Sequence, residues 1–224
     1  MYSEHASMLP HVIAWRSVTP PGAPAKRILP DGCLDVIWHD GVVFVAGPDT
    51  TAQVASAAEG SRSFALRFGA ATGPGVLGLP ADELTDRQVP LDALWPAAEV
   101  RRLAEAADPP AALEAAARRR WHDPDPAMVD LVAQARAGRA VGAIADRLGL
   151  SARQLQRRCN AAFGYGPKTL ARVYRLQRAV GLARGGAPFA AVSADAGYAD
   201  QAHLAREVRA MAGVPLGELL TRAP

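Results

Sequence analysis

At 224 residues and 23.5 kDa the chain is long enough for one large or two small domains. Half of its residues are hydrophobic and 21% are charged, the composition of a globular protein, and no apolar run approaches the length of a membrane span. Its net charge of +3 conceals a split: residues 124–224 hold 14 Lys and Arg against 7 Asp and Glu, residues 1–123 hold 11 against 15, and a basic half beside an acidic one points to a polyanion as partner of the former.

Two distant cysteines, Cys33 and Cys159, without a CxxC pair exclude a disulfide framework, and the start MYSEHASMLPHV has no basic-then-apolar leader pattern. A cytoplasmic protein is expected. All cations of the second half but Lys168 are Arg, which suits bidentate recognition of guanine or phosphate, though GC-rich coding would leave the same trace.

Residues 1–90 read as β. Short β-branched or aromatic runs at 11–18, 26–29, 34–39, 42–46, 51–56 and 63–68 are separated by PPGAP, PDG, HDG, GPDT and AEGS. Asp40-Gly41 is the strongest hairpin signal. In 34–39 alternation puts Leu34, Val36 and Trp38 on one face and Asp35, Ile37 and His39 on the other. The spacing suggests a small barrel or sandwich, whose interior, with Trp15, Asp35, Trp38, Arg67 and Phe68, is the candidate effector pocket; the competing reading is that these side chains fill a small core. Asp31, four residues before Asp35, falls in the PDG turn.

From residue 70 Gly, Pro and Ala enter, and GPGVLGLPADEL reads as a short helical turn. Residues 94–107 and 111–121 read as helices broken at Asp108-Pro109-Pro110. Their apolar positions, Leu94, Val100 and Leu103, then Leu113, Ala117 and Trp121, suit packing on the sheet or a dimer surface equally. Chemistry is not signalled. There is no HExxH, GxSxG, GxGxxG or phosphate loop, and the histidines at 5, 11, 39, 122 and 203 are scattered. No catalytic residue, metal or cofactor is expected.

The second half is helical. Asp125-Pro126 is an N-cap followed by Pro, opening a helix with Met128, Leu131, Val132 and Ala135 on one stripe and Gly138 at its end. VGAIADRLGLSARQLQRRCNAAFG, 141–164, then reads as helix, tight turn, helix. Val141, Ile144, Ala145 and Leu148 face inward, Gly149 ends the first helix, and Ser151 stands as N-cap of the second. Leu155, Cys159 and Ala162 point in. Arg153, Gln154, Gln156, Arg157 and Arg158 point out, types that hydrogen-bond base edges and phosphates. A long helix over 168–184 follows the Gly164-Tyr165-Gly166-Pro167 break.

The pattern recurs in PFAAVSADAGYADQAHLAREVRAMAG, 188–213. Residues 145–149 match 193–197 at an offset of 48; Ser151, Leu155, Arg157 and Gly164 match Asp200, Leu204, Arg206 and Gly213 at an offset of 49, so the second turn is one residue longer. Asp200 is the second N-cap, and Gln201, His203 and Arg206 occupy the second outward face. One rigid helix between two such units can hold them about one DNA turn apart, roughly 34 Å, for successive major grooves.

These residues resemble the AraC/XylS family of bacterial transcription regulators over 124–221, including AGYADQAHLAREV. The resemblance implies seven helices in two helix-turn-helix subdomains. It places base reading on Arg153, Gln156, Arg157, Gln201, Ala202, His203 and Arg206, with Gln154 beside them. The family usually has Phe at the inward positions held here by Cys159, Leu204 and Val208. Ser151, Arg158, Lys168, Arg172 and Arg209 are the candidate phosphate contacts. RILPDGCLDVIWHDG, VAGPDT and ALRFGAATGPGVLGLPADELTDRQVPLDALW resemble a sensor-type domain found ahead of such regulators. There the family often places a cupin-like barrel, implying a small-molecule effector and a homodimer.

The expectation is therefore an α+β protein: an effector-binding or dimerising β domain with trailing helices over 1–122, and a double helix-turn-helix domain over 123–224. Double-stranded DNA is the partner, and RNA polymerase a second one if the protein activates. Two alternatives stand: a first domain that only dimerises, and one that is an enzyme.

Overall fold

The computed structural model describes residues 1–221, the Val141 side chain aside; the expected inward contact of Val141 and the end of the expected second domain, 222–224, lie outside the described residues. Residues 1–90 hold eight strands: β1 (Tyr2–Ala6), β2 (Val12–Val18), β3 (Lys26–Ile28), β4 (Leu34–His39), β5 (Val42–Ala46), β6 (Gln53–Ala55), β7 (Arg62–Phe68) and β8 (Gln88–Pro90). Six form one antiparallel sheet in the order β1-β2-β7-β4-β5-β8, and β3 and β6 make a separate ribbon.

The β4–β5 hairpin turns on Asp40 and Gly41, both at positive φ (44° and 89°), with His39 paired to Val42. That is the two-residue turn whose twist matches its strands. The cupin-like closed barrel does not form. β1 and β8 end the sheet on opposite sides, and β8 is three residues long and finishes in Pro90, which has no N–H to extend a ladder.

The alternation of β4 holds through the sheet. Val12, Ala14, Leu34, Val36, Trp38, Val43, Val45, Phe64, Leu66 and Phe68 are buried on one face. Helices α2 (Ala97–Ala104) and α3 (Pro109–Arg119) cover it. Val100, Leu103, Leu113, Ala116 and Ala117 belong to the same core, so the inward stripes of both helices pack on the sheet. Each fully buried Leu or Val here contributes about 1.5–3 kcal/mol. Asp108 starts α3, accepting from Ala111 N at 3.2 Å ahead of two prolines. Between sheet and helices lie α1 (Gly73–Leu77) and a 3-10 turn, Ala81–Glu83.

Seven helices follow: α4 (Pro126–Arg136), α5 (Val141–Arg147), α6 (Ala152–Phe163), α7 (Pro167–Arg184), α8 (Phe189–Ala196), α9 (Gln201–Ala212) and α10 (Leu216–Thr221). α7 is the axis: Leu170, Val173, Leu176 and Ala179 are wholly buried, and α4, α5, α6, α8, α9 and α10 all pack against it. A second apolar core joins Met128, Leu131, Ile144, Leu155, Phe163, Val192, Leu204, Met211 and Leu219. Cys159, Leu204 and Val208 are buried in it, so these smaller residues leave the packing closed. Burial pushes the Cys159 thiol up to about 12.

The halves touch directly. Ala71 packs into the helical core. Gln177 Nε2 donates to Pro30 O at 2.5 Å, Thr85 Oγ1 to Gly164 O at 2.7 Å, and Arg27 Nη1 to Ala212 O at 2.9 Å.

Candidate nucleic-acid interface

Each helix-turn-helix unit is built by the same local devices. α5 stops at Gly149 (φ 62°), and Leu150 N donates back to Ala145 O at 3.1 Å. α8 stops at Gly197 (φ 85°), and Tyr198 N donates to Ser193 O at 2.8 Å. The left-handed residue belongs to glycine because any Cβ there meets the following carbonyl. Ser151 caps α6 in a full capping box with Gln154, and Asp200 caps α9, accepting from His203 N at 2.6 Å. Both second helices end on a left-handed glycine, Gly164 and Gly213.

This geometry sorts the candidate base readers. Arg153, Gln156 and Arg157 are exposed on α6, and Gln201, Ala202 and Arg206 on α9. Gln154 is turned back onto its own helix start, its Oε1 accepting from Ser151 N and Oγ at 2.9 Å. His203 is half-buried: its Nδ1 accepts from Ala199 N at 3.3 Å, and its ring stands edge-on to Tyr198, centroids 5.3 Å apart.

The phosphate candidates divide in the same way. Lys168 and Arg209 are exposed with no ion pair among the described residues. Arg158 pairs with Asp125. Arg172 forks onto Glu207 at 2.8 and 3.2 Å and so ties α7 to α9. Ser151 serves as the cap.

The first unit has a neighbour that sequence did not indicate. Pro80 and Asp82 of the 3-10 turn face Arg153, Gln156, Arg157, Asn160 and Ala161 across an open cleft of about 540 Å³. Gly164 lies so close to the first half that an added Cβ would come within 2.5 Å of Pro48 Cγ and Thr85 Oγ1. Nothing local in Pro80, Asp82 or Thr85 announces this, since contacts between residues eighty apart leave no periodic trace. Asn160 had a signal: it follows Gln156 by one helical turn on the same face.

The candidate effector residues split between the two faces of the sheet. Trp38 and Phe68 are in the core under the helices. Trp15, Asp35 and Arg67 meet on the opposite face, where Asp35 accepts from Trp15 Nε1 at 3.3 Å and Arg67 Nε at 3.2 Å, with Asp31 at 3.9 Å from Arg67. Cross-strand register sets Trp15, Ala65, Ile37 and Phe44 in one apolar row beside that polar end. Burial pushes the Asp35 carboxyl up to about 6, although Arg67 pulls it down, and Asp31 adds to the rise. Burial works against the charge of the Arg67 guanidinium, but Asp35 and Asp31 outweigh it and hold the group charged. Burial likewise raises the Cys33 thiol. Among the described residues no three His, Cys, Asp or Glu side chains are grouped as metal ligands, and no helix is long and apolar enough to cross a membrane.

Two family models match the chain: a helix-turn-helix domain over residues 144–222 and a domain of unknown function, DUF6597, over residues 9–90. No curated protein matches the sequence. Among solved structures, a probable AraC family transcriptional regulator from Rhodopseudomonas palustris CGA009 is 26% identical, covering 44% of this chain and 98% of its own, with a TM-score of 0.39. ToxT from Vibrio cholerae O395, bound to (E)-4-(8-methylnaphthalen-1-yl)but-3-enoic acid, is 11% identical, covers 98% of both chains and has a TM-score of 0.50. Unsaturated fatty acid bound wild-type ToxT from Vibrio cholerae strain SCE256 is 12% identical over 98% of this chain and 97% of its own, with a TM-score of 0.48.

Proposed function

We propose, for a chain that belongs to the AraC/XylS family and is a DNA-binding transcription regulator, that it reads a specific operator with both helix-turn-helix units under control of its first half. The observation that carries this reading is the pair of matched, capped second helices with exposed Arg and Gln on corresponding faces. Arg153, Gln156 and Arg157 on α6 and Gln201 and Arg206 on α9 read bases; Lys168 and Arg209 meet phosphates. His203 contributes by holding the turn before α9. The domains divide at 122/123, and the protein works in the cytoplasm.

A small-molecule effector belongs on the sheet face that carries Trp15, Asp35 and Arg67. Three observations support this: an aromatic and aliphatic row, a polar end, and the nearness of that end, through Asp31 beside Arg67, to Pro30, whose carbonyl accepts from Gln177 of the second half. ToxT has been solved with an organic acid bound. Here the cation at the polar end already faces two carboxylates, so a carboxylic acid would have to compete with Asp35 and Asp31 for Arg67.

Selection of bound sequences from a random DNA pool tests the reading, repeated with candidate small molecules while Trp fluorescence is followed. A recurring motif that Arg157→Ala blurs by about 1–3 kcal/mol of discrimination is expected. Enrichment of no motif would overturn sequence-specific binding. Lys168→Ala should weaken binding to all sequences alike and flatten its salt dependence, and a sequence-selective loss would remove Lys168 from the phosphate set.

A further inference from the structure

On the reading face of α6, Gln156 does not wave in solvent. Its Nε2 donates to Asn160 Oδ1 at 2.9 Å, one turn further along the helix. Its amide also packs against Gly166, the residue before α7: a Cβ added at Gly166 would overlap it, 2.5 Å from Oε1 and 2.7 Å from Cδ. Gly166 has φ −68° and ψ 166°, extended backbone open to any residue. Its lack of a side chain is therefore not required by conformation, unlike that of Gly164 two residues earlier at φ 82°. What glycine provides at 166 is room for the amide of Gln156.

The reason such a seat matters is the chemistry of glutamine. The side chain has three rotatable bonds and an amide that offers a donor and an acceptor side by side. Unsupported, it can meet several bases, and ordering it costs rotamer freedom. With one N–H given to Asn160, the second N–H and Oε1 remain, the pair that matches N7 and N6 of adenine in the major groove. Gln156 and Asn160 line the same cleft as Arg153 and Arg157, so the fixed amide belongs to the reading surface.

We propose that Asn160 and Gly166 are positioning residues for specificity: together they hold the Gln156 amide so that it selects adenine at one operator position. This rests on the reading of α6 as a base-reading helix, and the test separates the two. Sequences bound by the full chain are selected from a random pool and compared for wild type, Gln156→Ala, Gly166→Ala, Asn160→Leu and Asn160→Asp, with thermal unfolding of each protein followed in parallel. Gln156→Ala, Gly166→Ala and Asn160→Leu should each lose the preference for adenine at one and the same base pair, by roughly tenfold. Asn160→Asp keeps the acceptor and should retain that preference while binding all sequences more weakly through its added negative charge. Should Gly166→Ala fail to fold, Asn160→Leu against Asn160→Asp decides. No change of preference in Gln156→Ala would overturn the assignment of Gln156 as a reader. A change in Gln156→Ala that neither Gly166→Ala nor Asn160→Leu reproduces would overturn the seat alone. A change in Asn160→Leu at a different base pair would make Asn160 a reader in its own right and overturn its positioning role.

Discussion

The two helix-turn-helix units share a plan and differ in what surrounds them. Both turn on a left-handed glycine, both cap the second helix with an oxygen side chain, and both end that helix on glycine. The first half of the chain holds both helix ends by the same means, a donor onto the carbonyl at the C-terminus: Thr85 onto Gly164, Arg27 onto Ala212, joined by Ala52 N onto Met211 O at 2.7 Å. At the first unit the neighbouring half also stands beside the exposed face of α6, with Pro80 and Asp82 across the cleft. A duplicated motif thus keeps its local chemistry in both copies while one copy acquires a wall. Any DNA strand flanking α6 on that side must share space with an acidic turn.

The comparison breaks most easily at the two terminal glycines. Gly164→Ala should cost about 2–4 kcal/mol, since it combines a left-handed φ with overlap onto Pro48 and Thr85. Gly213→Ala should cost about 1–2 kcal/mol, because its added carbon meets only the movable Arg27 guanidinium at 3.2 Å. Urea unfolding measures both, and equal losses would mean that the wall adds nothing to the first unit.

The half that forms the wall has its own pH dependence. The fold raises Asp35 from 3.8 to about 6, so it favours the protonated carboxyl. The stability this gives is complete below about pH 4 and is lost as pH rises to about 6, up to about 3 kcal/mol. Asp49, which burial and then Asp86 also raise to about 6, acts in the same window, so Asp35→Asn should reduce the slope in a plot of unfolding free energy against pH and leave the part due to Asp49; an unchanged slope would assign it to Asp49 alone.

Smaller effects sharpen the likeness between the units. Ser151→Ala and Asp200→Ala should each destabilise by about 1 kcal/mol. A much larger loss for one would show that its cap also serves the fold at longer range. Thr85→Val, which leaves the Gly164 carbonyl without its donor, should cost about 1 kcal/mol and loosen the first unit alone; hydrogen exchange protection of α6 against α9 reads that difference.

Much of this was legible in the residues. The hairpin at Asp40-Gly41, the alternation of β4, the caps at Asp125, Ser151 and Asp200 and the inward stripe of α6 are set by neighbours within a few positions, where spacing and residue chemistry suffice. What misled was of two kinds. Trp38 and Phe68 are as aromatic as Trp15; alternation in β4 already set Trp38 opposite Asp35, but which residues of β2 and β7 share each of those faces is known only once the register is. Gln154, Arg158 and Arg172 are as polar as Arg153, yet each has a partner inside the fold, two of them more than thirty residues away.

By itself, then, the sequence determined the duplicated helix-turn-helix, its caps and its two sets of outward Arg and Gln, because helix periodicity and capping act over one or two turns. The tertiary structure alone decided that the sheet stays open, which of its faces the helices α2 and α3 cover, and that α6 lies against Pro80, Asp82 and Thr85. Those are outcomes of packing between distant segments, in which burial and shape complementarity choose among arrangements that the local pattern leaves equal.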